Sequence, residues 1–136
     1  MDRLSPERRG WLMSRVKSKH TTPEMAVRRL IFSMGYRYRL HDKRLPGRPD
    51  LVFSSRRKVI FVNGCFWHGH EGCRYAGLPK TRVDYWREKI EKNQIRDREK
   101  IALLEADGWK VLTVWQCELK NTEKLANNLY DFIEHD

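Results

Sequence analysis

The chain has 136 residues, with 28 Lys plus Arg against 18 Asp plus Glu and a formal net charge of +10. That length accommodates one hydrophobic core and excludes a second large domain, and an apolar share of 40 % excludes intrinsic disorder. No run approaches the roughly 20 apolar residues of a membrane span, and the first residues lack the apolar core of a signal peptide, so a cytoplasmic protein without a membrane partner is expected.

The charge is uneven. Residues 1–50 hold 13 Lys plus Arg against 5 Asp plus Glu, whereas residues 51–136 hold 15 against 13. A basic N-terminal arm, residues 1–20, joined to a near-neutral body (21–136) suits a polyanionic partner, although a solvated basic surface explains the same count. Thr22 as N-cap and Pro23 at the first helical position open a helix whose Val27, Leu30, Ile31 and Met34 follow helical spacing until Gly35. Tyr36, Tyr38 and Leu40 alternate with Arg37 and Arg39, predicting a half-exposed edge strand. Pro46, Gly47 and Pro49 make 41–49 a loop, and Asp50 stands at the start of a short apolar strand ending at Phe53. After a turn over 54–57, Val59–Val62 is apolar on both faces, as in a central strand covered by helices on each side. Residues 64–80 show no periodicity. Thr81 and Asp84 resemble a capping box opening a long helix to about Asp107, which Gly108 closes. Trp109–Trp115 predicts another strand, and Asn121 starts a last helix with Leu125, Leu129, Phe132 and Ile133 inward. This order points to an α/β sandwich with a mixed central sheet flanked by helices.

Several residues carry chemistry. Cys65, His70 and Cys73 share one loop at metal-ligand spacing, and Cys117 beyond the last strand could complete a closed Cys3His site, structural in character and suited to Zn2+. Buried free thiols are the competing reading. His68 then remains outside the metal set, and an imidazole, which titrates close to neutrality, suits a general base; a loop histidine without function is the alternative. Phe66 and Trp67 are large aromatics in a polar loop, displayed for stacking on bases or else capping the metal cluster. On the long helix, positions 86, 90, 93, 97, 101 and 104 share one face and read Trp, Ile, Asn, Asp, Ile, Leu. Asn93 and Asp97 thus point toward the sheet to meet a ligand, a histidine or a metal-bound water, unless the helix is rotated to leave them at the solvent boundary. Asp50 is a candidate seat for a divalent ion in phosphodiester hydrolysis or a simple turn residue, and Glu24 gains from the helix dipole with or without a catalytic task.

The segments Leu45–Asp50, Ile60–Cys73 with Gly-Cys-Phe-Trp-His at its centre, Thr81–Arg82 through Trp86, Lys89–Asp97, and Gly108–Cys117 resemble the very short patch repair endonucleases. The resemblance spans roughly residues 13–120 and implies a restriction-endonuclease-like three-layer sandwich. It implies an enzyme that nicks double-stranded DNA 5' to the thymine of a T:G mismatch left by 5-methylcytosine deamination. In that family's terms Asp50 and the backbone carbonyl of Val62 would hold a catalytic Mg2+, His68 would activate water, and Glu24, Asn93 and Asp97 would order the hydrated ion. Cys65, His70, Cys73 and Cys117 would hold Zn2+. Phe66, Trp67 and Trp86 would wedge into the base stack, with Met13 at the opposite groove. A monomer acting beside the bacterial nucleoid, with mismatch-repair proteins as candidate partners, is further implied. The usual Glu-x-Lys pair of restriction nucleases is missing after Val59, which this family replaces, whereas Asn63 and the Glu71-Gly72 spacer depart from its histidine-rich loop. A related nuclease of other DNA specificity and a zinc-stapled DNA-binding module without catalysis are the competing functions.

Overall fold

The computed structural model describes residues 22–135; the basic arm, 1–20, and Met13 lie outside them. Helix α1 (Thr22–Ser33) buries Val27 and Ile31 completely, with its Leu30 and the Met34 that follows it packed beside them, as the apolar spacing requires. Gly35 turns left-handed (φ 96°), and the Tyr36 N–H reaches Ile31 O at 3.3 Å to close the helix.

Four strands form one sheet in chain order: β1 (Arg39–Leu40), β2 (Leu51–Phe53), β3 (Lys58–Asn63) and β4 (Lys110–Trp115). The pairs β1/β2 and β2/β3 are antiparallel, and β3/β4 is parallel, joined through helix α2 (Val83–Ala106). Helix α3 (Thr122–Glu134) follows β4. Only Arg39–Leu40 of the expected Tyr36–Leu40 strand pairs, opposite Val52 and Leu51 of β2. The alternation nevertheless holds: Tyr36, Tyr38 and Leu40 pack on the core and Arg37 and Arg39 are exposed.

The mixed sheet carries a core on each face, which makes three layers. On one face Leu51, Phe53, Ile60 and Val114 meet Val27 and Ile31 of α1 and Leu125, Leu129 and Ile133 of α3. On the other, Val52, Val59 and Trp109 meet Leu104 of α2, with Phe61 and Val111 packed alongside. Successive strand residues thus point to opposite helical layers, the reason β3 reads as a continuous apolar run. Asn121 caps α3 as expected, its Oδ1 accepting from Lys124 N at 3.1 Å, and Phe132 packs at the margin of that core.

Two features depart from the expected local chemistry. The capping box at Thr81 and Asp84 does not form: Arg82, in left-handed conformation (φ 56°), precedes α2 without a side-chain cap. A capping box needs an extended residue with a side-chain oxygen at the cap position, and Thr81 lies one residue too early. Asp84 instead sits in the first turn and pairs with Arg87 at 3.1 Å. The second is Lys58, buried at the start of β3: its Nζ donates to Phe132 O, Ile133 O and His135 O at 2.7, 2.9 and 2.8 Å. It collects the carbonyls that the end of α3 leaves without intrahelical donors.

Candidate active site and metal centre

Glu24 occupies the first turn of α1 three residues before Val27 and seven before Ile31, so it continues the apolar stripe and is buried with it. Asp50 directly precedes β2. Its Oδ2 accepts the Val62 N–H at 2.7 Å, which ties the carboxylate to the middle strand through the amide of the residue whose carbonyl was expected to serve there. His41 joins them: its Nε2 lies 2.8 Å from Glu24 Oε2 and 3.8 Å from Asp50 Oδ1, and Arg28 Nη1 stands 3.5 Å from the same Glu24 oxygen. One donor atom from each of Glu24, His41 and Asp50 falls within 4.8 Å of the others, close enough for all three to hold one cation. Burial pushes the Asp50 carboxyl up to about 6; nearby Glu24 adds to the rise, while the Val62 amide, His41 and His68 oppose it.

His41 is the residue the sequence analysis missed. A histidine in a loop carries no periodic signal, and its place depends on hairpin register. Leu40 pairs with Leu51, so the next residue stands opposite Asp50, and the His41 N–H donates to Asp50 O at 3.3 Å.

The loop after β3 is anchored by α2. His68 Nδ1 lies 2.6 Å from Asp97 Oδ2, Asn93 Nδ2 donates to Trp67 O at 2.8 Å, and Gln94 Nε2 donates to Gly69 O at 2.7 Å. The polar interruption of the α2 stripe therefore does face inward. Asp97 meets a histidine, one of the partners expected for it, and Asn93 meets a loop carbonyl. A carboxylate against Nδ1 selects the tautomer with its proton there and leaves Nε2 as a proton acceptor. Gly69 is left-handed (φ 57°), and a Cβ added to it would stand 2.5 Å from Ile90 Cγ2, so only glycine permits this close approach to the helix.

Cys65, His70, Cys73 and Cys117 converge with one donor atom each inside 4.8 Å. Cys117 Sγ and His70 Nδ1 are 3.5 Å apart, close to the roughly 3.6 Å separating a sulfur and a nitrogen at adjacent corners of tetrahedral zinc. The His70 ring stacks on Trp115 at 4.0 Å with 6° between planes, which fixes its orientation. Burial pushes the Cys65 thiol up to about 12 and raises Cys117 as well, so ionised thiolates require a cation among them. The donor set fits a structural tetrahedral ion.

Phe66, Trp67 and Trp86 meet edge to face, with ring centroids 5.3, 5.4 and 5.6 Å apart, and Tyr85 lies 5.1 Å from Trp86. All three are partly exposed. They form one aromatic group adjacent in the chain to His68, so the structure brings together the expected wedge residues other than Met13, which lies outside the described region.

The site thus combines the buried Glu24 of α1 and the half-buried Asp50 before β2 with His41 between them, a carboxylate-paired His68, a Cys/His cluster and a group of partly exposed aromatic rings. The fold is similar to the catalytic domain of the homing endonuclease I-Bth0305I, with a TM-score of 0.56 at 22 % identity, covering 82 % of this chain and 93 % of that one. The architecture is thus restriction-endonuclease-like. Among sequence relatives, the Type II nicking enzyme V.XorIIP of Xanthomonas oryzae pv. oryzae is 59 % identical over 133 residues, 98 % of this chain and 97 % of that protein. The DNA mismatch endonuclease Vsr of Escherichia coli is 44 % identical over 115 residues, 85 % of this chain and 73 % of that protein. A family model described as DNA mismatch endonuclease Vsr matches residues 1–74. The chain belongs to the Vsr family of DNA mismatch endonucleases and is a DNA endonuclease.

Proposed function

We propose that this endonuclease nicks one strand of double-stranded DNA 5' to the thymine of a T:G mismatch, using a divalent cation such as Mg2+ and a structural Zn2+. The observation that carries the reading is the His68–Asp97 pair at 2.6 Å, set directly after Phe66 and Trp67 in a loop that Asn93 and Gln94 tie down. It supports reading His68 as a proton acceptor and the neighbouring Phe66, Trp67 and Trp86 as the rings that would stack on bases. Wedging aromatic rings into a duplex costs a few kcal/mol per unstacked step, a cost that falls at a mismatch and so contributes selectivity.

Asp50 and Glu24 would hold the cation, with the Val62 amide keeping Asp50 turned toward it. Such an ion would supply positive charge against that developing on the scissile phosphate. His68 Nε2 takes the proton of the attacking water as the new bond to phosphorus forms and the bond to the leaving oxygen breaks. Asp97 holds the ring by its Nδ1–H and stabilises the imidazolium produced. Cys65, His70, Cys73 and Cys117 would hold Zn2+, keeping the loop closed on the sheet. The basic arm would add phosphate contacts and affinity, without base discrimination. A protein of this kind works as a monomer on DNA in the bacterial cytoplasm, within reach of mismatch-repair proteins.

The decisive experiment is a nicking assay on T:G, other mismatched and matched duplexes, with the cut mapped to the nucleotide. One nick 5' to the mismatched thymine, lost in Asp50→Ala and His68→Ala while duplex binding persists, is the expected result. Equal cutting of matched DNA would remove the mismatch assignment and leave a nuclease of other specificity. Binding without any cutting would remove the catalytic one.

A further inference from the structure

The Glu24–His41–Asp50 cluster contains a donor that the oxygen-only picture of the cation site omits. We propose that His41 is a nitrogen ligand of the cation held by Glu24 and Asp50, and that the site accordingly takes a first-row transition-metal dication such as Mn2+ in preference to Mg2+. The proposal rests on the nuclease reading above and deepens it by naming the donor set and the class of metal.

Three separate elements bring the donors together: the first turn of α1, the residue after β1, and the residue before β2. His41 is locked opposite Asp50 by its backbone hydrogen bond to Asp50 O at 3.3 Å and adopts a left-handed conformation (φ 46°) that non-glycine residues seldom hold. With Asp50 Oδ2 occupied by the Val62 amide at 2.7 Å, it is Oδ1 that faces His41 Nε2, at 3.8 Å. The 2.8 Å from Nε2 to Glu24 Oε2 lies near the roughly 3 Å between neighbouring ligands in a first-row metal shell with bonds of about 2.1 Å, and the 3.8 Å to Asp50 Oδ1 falls between that and the roughly 4.2 Å of opposite ligands.

Burial sharpens the choice of ion. The side chains of Glu24 and His41 are only 2 % and 12 % exposed, so an ion seated among them gives up much of its water shell. Mg2+ dehydrates reluctantly and prefers oxygen donors, whereas an imidazole suits first-row transition metals, whose affinity for nitrogen donors rises along the series from Mn2+. The geometric alternative is that His41 only bridges the two carboxylates by hydrogen bonding, and the experiment separates the two.

The test uses the full zinc-replete chain titrated with Mn2+ alone, followed by electron paramagnetic resonance of free Mn2+, with Mg2+ as competitor. Pulsed measurements of nitrogen coupling to the bound Mn2+ identify the ligand. Expected are Mn2+ affinity roughly 10-fold or more above that for Mg2+, and a 14N coupling that persists in His68→Gln and vanishes in His41→Gln, where the Mn2+ advantage shrinks by about 10-fold. Bound Mn2+ without 14N coupling in the wild-type protein, coupling unchanged in His41→Gln, or equal affinity for the two ions would each overturn the assignment. If His41→Gln fails to fold, absence of the coupling in the wild-type protein or its loss in His68→Gln still overturns the assignment. Nicking of the T:G duplex is scored separately: nicking without nitrogen coupling rejects the His41 role alone, and coupling without nicking rejects the nuclease reading alone.

Discussion

At the residue scale, Asp50 sets stability against chemistry. Burial raises its folded pKa from 3.8 to about 6, so the proton is held more tightly in the folded state than in the unfolded one. Its contribution to stability is therefore full below about pH 4 and is lost as the pH rises through 6, where the carboxylate must ionise in a partly desolvated site. In zinc-replete, magnesium-free buffer, Asp50→Asn is expected to raise stability at pH 7.5 by about 2 kcal/mol and to leave it nearly unchanged at pH 4, while abolishing cleavage. Urea unfolding at the two pH values checks this, and a destabilised variant at pH 7.5 would contradict it. Asp50 was visible in the sequence because Pro46, Gly47 and Pro49 mark the loop that ends at it. His41 was not, since its partner is chosen by strand register and no periodicity encodes that. Glu24 was seen as a first-turn acid, although its spacing to Val27 and Ile31 already placed it on the buried stripe.

At the scale of elements, two positions join pieces distant in sequence. Lys58 donates to three carbonyls at the end of α3, 74 to 77 residues away. Replacing it by methionine keeps the bulk and strands those carbonyls, so Lys58→Met is expected to cost about 2–4 kcal/mol in urea unfolding, with a smaller loss for Lys58→Arg. Gly69 fits against α2 only without a side chain and with positive φ. For Gly69→Ala the left-handed penalty and the overlap with Ile90 and Gln94 together predict a loss of about 2–4 kcal/mol, and single-turnover nicking should fall as His68 is displaced. Full activity in that variant would show that the loop adjusts freely. The helices were legible from their apolar stripes, and the inward turn of Asn93 and Asp97 was legible as a break in one of them. The start of α2 was misread because Thr and Asp at capping-box spacing state a local preference that the backbone at Arg82 does not follow.

At the scale of the whole molecule, the Cys/His cluster joins the irregular segment 64–80 to the residues that follow β4. Four donors from two distant stretches meet within 4.8 Å, and the buried Cys65 is pushed up to about 12, far from thiolate at neutral pH without a cation. One zinc per chain is expected by native mass spectrometry. Its removal by a chelator, or Cys117→Ser, should lower the melting temperature and speed amide exchange across 64–80 more than in β3 and β4. Equal exchange with and without chelator would retire the structural role. The basic charge of the chain bears on affinity rather than fold, and its effect belongs to salt dependence.

The sequence by itself determined the layered α/β architecture, the helix faces, the candidate metal ligands and the aromatic group, because periodicity and ligand spacing are local properties of the chain. Tertiary structure decided which groups meet: His41 with Glu24 and Asp50 through hairpin register, His68 with Asp97 through the packing of α2, and Lys58 with the end of α3. Those contacts are set by how strands pair and layers stack, and the free energy that selects them comes from burying both faces of the sheet at once.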